Sequence, residues 1–84
     1  MANETSLRIA EGSLDRAEWM YSYARNVATG REQVSAYLAA SVRYKSAARH
    51  FRRAGDAARA EECDRARSLS EDAARDAHDS IGVS

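Results

Sequence analysis

Proline is absent from the 84 residues, and cysteine, tryptophan and phenylalanine occur once each alongside four glycines. Without proline, nothing forces a long helix to break. A lone cysteine cannot form an internal disulfide, so the chain is expected in the reducing cytoplasm. No apolar run approaches the roughly 20 residues of a membrane span. The opening MANETSLRIAEGS lacks the basic and apolar regions of a signal peptide. Charge of one sign is not in excess either. Thirteen Lys+Arg face thirteen Asp+Glu, which argues against a general attraction to nucleic acid or membrane and leaves room for a local patch. Large aliphatic residues are scarce: Leu, Ile, Val and Phe together number eleven. A single core in a domain this small supplies only about 3–5 kcal/mol. Such a chain either packs its helices closely on alanine or buries surface against another molecule.

Alanine and arginine are abundant. Ala occurs 18 times, and Arg outnumbers Lys twelve to one, the codon bias expected of a GC-rich bacterial or phage genome. Ala, Arg and Glu are strong helix formers, and no useful stretch alternates with period two. The sequence predicts a single all-α domain over residues 1–84, an antiparallel three-helix bundle. Its helices span about 5–28, 31–54 and 56–80, with a short flexible N-terminus and a tail at 82–84.

The first helix carries Leu7, Ala10, Leu14, Ala17, Tyr21, Ala24 and Ala28 at 3-4 spacing, one stripe on one face. Ser13 is a possible N-cap inside that pattern, which would leave residues 5–11 as a separate turn. At the first connection Gly30 suits the left-handed residue that ends a helix. Thr29 and Glu32 compete for the same turn as a capping box for the next helix. The second helix places Tyr37, Ala40, Tyr44, Ala47, Phe51 and Ala54 on one face and Val34, Leu38 and Val42 on another, the pattern of a helix between two neighbours. Gly55-Asp56 ends it, with Asp56 as N-cap of the third. The third helix offers Ala60, Cys63, Ala66, Ala73 and Ala77 to the inside, small residues that bury little area.

The run Gly55-Asp56-Ala57-Ala58-Arg59-Ala60 resembles the helix-to-helix turn of a tetratricopeptide repeat. Upstream, Tyr44, Ala47, Ala48 and Phe51 fall where the first helix of such a repeat carries aromatic and small residues. Gly12, Leu14, Ala17, Tyr21 and Ala24 resemble the second helix of a preceding repeat. The corresponding glycines are 43 positions apart, against a family period of 34. Asp64 and Arg67 stand where an aromatic residue and an alanine are expected, and no proline closes a repeat. Short three-helix domains of the microtubule-interacting-and-trafficking type are similar in length. The resemblance implies a non-catalytic module that binds peptides or helices.

Two surfaces are candidates for function. The first is apolar: Trp19, Met20, Tyr23 and Val27 lie off the main stripe of the first helix, and Val34, Leu38 and Val42 form the extra stripe of the second. An alanine-rich third helix cannot cover all of these, and Trp, Tyr and Arg are common interface anchors. This surface predicts a protein-binding module that assembles with itself or docks on a larger protein, as an adaptor, accessory or inhibitor. The bland alternative is that it is simply core. The second surface is basic. Residues 43–53 hold Arg43, Lys45, Arg49, Arg52 and Arg53 and no acid, which would suit phosphates of a nucleic acid or another anion. Its bland alternative is stabilisation by the helix macrodipole or pairing with the acidic chain from residue 54 onward, where eight acids face four arginines.

Nothing in the sequence suggests catalysis, a cofactor or a metal. His50 and His78 are far apart, and no HExxH, CxxC or EF-hand pattern occurs. Glu61 and Glu62 are adjacent and point about 100° apart on a helix, so they cannot form an acid/base pair. Cys63 reads as a buried structural thiol.

Overall fold

The computed structural model describes residues 2–83, which form three α-helices and, among those residues, no strand. They are α1 (Ala2–Asn26), α2 (Gly30–Arg53) and α3 (Ala57–Val83). The antiparallel three-helix bundle expected from the sequence is what forms. Central α2 packs along both neighbours, whereas the backbones of α1 and α3 hardly approach each other. The molecule extends 52 × 18 × 13 Å. No helix among the described residues is long and apolar enough to cross a membrane.

Alanine sets the approach of α1 to α2. Ala10, Ala17 and Ala24 recur every seven residues on α1 and are fully buried. They group with Ala47 and Ala48, with Ala40, and with Ala36 of α2, in antiparallel register. A face with only methyl groups lets two helices sit near the short end of the usual 8–10 Å separation. Ser13 and Ser46 meet on the same seam, with their hydroxyls 3.4 Å apart.

Larger groups fill the wedge toward α3. Phe51 is fully buried beside Ala60 and Cys63, with Leu7 and Leu14 packed on them. Tyr44 packs with Ala17 and Ala66, and Tyr37 packs with Ala74. The Tyr21 and Tyr37 rings meet edge to face, 5.4 Å apart. Burial raises the pKa of Tyr37 and Tyr44 above the ordinary phenol value. The Arg59 guanidinium covers the Phe51 ring at 4.9 Å. It also donates to Asp56 and reaches Glu11 of α1, so one side chain ties all three helices.

The inner face of α3 is centred on Ser70 and Ala74, which are buried, while Ala66, Ala73 and Ala77 lie at its margins. Ser70 goes inside because its hydroxyl donates to the Tyr37 carbonyl at 2.6 Å. A buried hydroxyl with an acceptor loses little by leaving water.

The connections differ from expectation at three places. α1 runs unbroken from Ala2 through Gly12 and Ser13, so Ser13 packs on the seam instead of capping a helix. Of the segment expected to be flexible, Met1 lies outside the described residues and the rest is helical. Gly30 does have positive φ, +58°, but it opens α2 instead of ending α1. Thr29 is the N-cap residue and makes no side-chain cap. Glu32 accepts from Tyr23 instead, and Gln33 donates to the Ala24 carbonyl at the end of α1. At the far end, α3 continues through Gly82 to Val83, residues expected in a tail, and Ser84 lies outside the described residues.

The second connection follows the sequence closely. The Asp56 N–H bonds the Phe51 carbonyl and the Gly55 N–H bonds that of Arg52, a Schellman motif with Gly55 at φ +85°. The Asp56 carboxylate then caps α3 by accepting from the Arg59 N–H at 3.1 Å. That bond and the Arg59 guanidinium hold its pKa below the usual carboxylate value.

The wedge and the seam respond differently to substitution. Phe51→Ala is expected to remove about 3–5 kcal/mol, most of the stability of a domain this size. Ala17→Leu is expected to lose about 1–3 kcal/mol by forcing α1 off α2. Urea unfolding followed by circular dichroism checks both.

Candidate functional site

The stripe at Leu7 through Ala28 turns toward α2 and α3, which puts Trp19 on the far side of α1. It is 64 % exposed. Tyr23, one turn later, stacks on it with centroids 5.5 Å apart and planes at 9°. The Tyr23 hydroxyl donates to Glu32 Oε1 at 2.5 Å. That acceptor is the main reason its pKa lies above the ordinary phenol value. The bond links α1 to the start of α2 and fixes the direction of the aromatic pair.

Between the helices lies an open groove of about 460 Å³, lined by Arg16, Trp19 and Met20 of α1 and by Ala39 and Arg43 of α2. Met20 forms its floor, because its inner side packs against two of the buried clusters. Ala39 keeps the α2 wall low. Arg16 and Arg43 stand at the rim, and among the described residues neither pairs with a carboxylate. Val42 and Val27 are each 65 % exposed and Leu38 is 48 % exposed, and none of the three lines this groove.

Val34 does not join them. Residues four apart on a helix drift by about 40°, so Val34, Leu38 and Val42 turn progressively from α3 toward solvent. Val34 is half-buried and packs in the cluster containing Tyr37, Ala73, Ala74 and Ala77. The extra stripe of α2 is thus core at its first residue and surface at its last two. Arg16 and Ala39 are groove residues that the apolar pattern does not single out. Arg16 carries a signal in retrospect, being i−3 to Trp19 and i−4 to Met20.

The basic stretch divides between two sides of α2. Arg43 is at the Trp19 groove. Lys45, Arg49 and Arg52 line a cleft against α3 with Asp64 and Arg67. Arg52 bonds Asp64. Arg53 is exposed and lines neither. Among the described residues, pairing with the acidic helix therefore involves Arg52 alone of these five.

Cys63 is buried at 2 % exposure, and desolvation pushes its thiol pKa up. A protonated thiol in that setting is a packing group. Among the described residues no cluster of His, Cys, Asp or Glu is placed to hold a metal.

Comparison with protein-family models, curated proteins and solved structures finds no match to this chain.

Because Trp19 is held mainly by its stack on Tyr23, Trp19→Ala is expected to change folding stability by no more than about 1 kcal/mol. Thermal unfolding of the variant beside Phe51→Ala makes the contrast. A large loss at Trp19 would mean that the ring is part of the core.

Proposed function

We propose that the protein is a small non-catalytic docking module, and that its α1/α2 face receives an amphipathic helix with acidic flanks from another protein. The observation that carries this is the open groove between Trp19 and Arg43, apolar within and cationic at its rim. Trp19, Val27, Leu38 and Val42 stay exposed although the chain has few large apolar groups to spare. Exposed aromatic anchors beside arginines are the composition of binding hot spots. A helix lies naturally in a groove between two helices, with anchors at i, i+3 and i+4.

Charge selects the partner. Among the described residues Arg16 and Arg43 pair with no acid, and α2 as a whole carries six cations against one acid. Carboxylates flanking an apolar stripe would complete both features. A second copy of the same face would instead bring two more uncompensated guanidinium groups to the rim, so assembly with a different protein is favoured over a symmetric dimer. A helix-binding role is also what the likeness of the turn at Gly55–Ala60 to a tetratricopeptide hairpin implies.

The test uses two synthetic helices with the same apolar stripe, one flanked by Glu and one by Lys. Titration calorimetry is expected to show saturable binding of the Glu peptide, weakened at least about tenfold by Trp19→Ala and by Val42→Asp. Light scattering of the protein alone is expected to give a monomer. Equal binding of both peptides, or of neither, contradicts the proposal. A salt-stable dimer broken by Val42→Asp would make the occupant a second copy.

A further inference from the structure

The cleft on the other side of α2 has different chemistry. Lys45, Arg49 and Arg52 rise from successive turns and face Arg67 and Asp64 of α3 around an open space of about 450 Å³. Five charged side chains meet there, four positive and one negative. The single acid is already engaged by Arg52. Among the described residues, Lys45, Arg49 and Arg67 have no carboxylate at ion-pair distance. The Arg67 Nε is closed off from solvent and donates to nothing in the fold.

Neither feature helps the chain to fold. A buried donor without an acceptor is destabilising, more so on a charged group. Three unmatched cations around one cleft also repel one another. Glu71, one turn beyond Arg67 on α3, makes no ion pair with it among the described residues. An arriving anion would relieve the repulsion among the cations. Guanidinium groups offer planar forks that match tetrahedral oxyanions, and a lysine adds a mobile point charge. Three uncompensated charges suit a group of charge two to three, which favours a phosphoryl group over a carboxylate.

We infer that the cleft formed by Lys45, Arg49, Arg52 and Arg67 is a binding site for a phosphoryl oxyanion. It is independent of the docking groove, which opens between α1 and α2. Asp64 holds the Arg52 guanidinium in place, and Arg67 contributes the cation of the α3 wall. The phosphoryl group can come from a small phosphorylated molecule or from a nucleic-acid backbone, and the two sources are separable.

Titration calorimetry at constant ionic strength, with inorganic pyrophosphate in one arm and a short single-stranded DNA in the other, tests the site. Pyrophosphate is expected to bind saturably at one site per chain. Arg49→Gln and Arg67→Gln are each expected to weaken it about tenfold or more, and Arg53→Gln to leave it unchanged. Circular dichroism of each variant checks its fold, and the exposed Arg49 provides a variant that leaves the core intact. Binding of the DNA alone, lost in Arg49→Gln and Arg67→Gln, supports the site and identifies a backbone phosphate as its source. No saturable binding of either probe, or binding that both variants retain, overturns the inference.

Discussion

The close approach of α1 and α2 along an alanine seam is the constraint on which the rest depends. Ala10, Ala17 and Ala24 offer only a methyl group each, and they meet Ala36, Ala40, Ala47 and Ala48 of α2 in clusters that Tyr37, Tyr44 and Phe51 complete. Where alanine faces alanine, a larger side chain would have to force the helices apart. Large apolar side chains therefore have two places to go. Tyr37, Tyr44, Phe51, Leu7 and Leu14 fill the wedge toward α3, where the backbones of α1 and α3 stand apart. Trp19, Val27 and Val42 lie on the outside.

The outward group has an energetic meaning. Alanine burial gives little free energy per residue, so a chain short of Leu, Ile and Val has reason to place its tryptophan inside. Its position on the solvent side of α1, stacked on Tyr23 and beside a groove, is hard to account for by folding. The same holds for charge. The chain is neutral overall, yet α2 is strongly basic and α3 acidic. Among the described residues, only Arg52–Asp64 joins the two by an ion pair. Arg43 lies at an apolar groove against α1, and Lys45 and Arg49 lie at a polar cleft against α3. A single helix thus serves as the wall of both.

Much of this was legible in the residues, and what was not has identifiable causes. The 3-4 spacing of α1 located its buried face, and Gly55-Asp56 marked a turn whose capping chemistry is fully local. The first connection misled, because Thr29, Gly30 and Glu32 fit two local motifs. Tertiary contacts decided it: Glu32 is taken by Tyr23 and Gln33 caps the end of α1. Ser70 is polar in a helix with alanines to spare, so no pattern could place it inside before the Tyr37 carbonyl was known to face it. Val34, Leu38 and Val42 were recognisable as one stripe, but their drift from core to surface depends on where α3 lies. Arg67 was visible only as a break in a repeat pattern. Its place opposite Lys45 and Arg49 is set by the pairing of two helices.

The central claim is that the face around Trp19 is left uncovered by the chain itself. The single tryptophan makes this directly measurable, by fluorescence emission and acrylamide quenching of the isolated protein over a range of concentrations. The account predicts red-shifted emission and efficient quenching, both independent of concentration. Blue-shifted, poorly quenched emission would show that the ring is already covered, by the fold or by a second copy, and would contradict it.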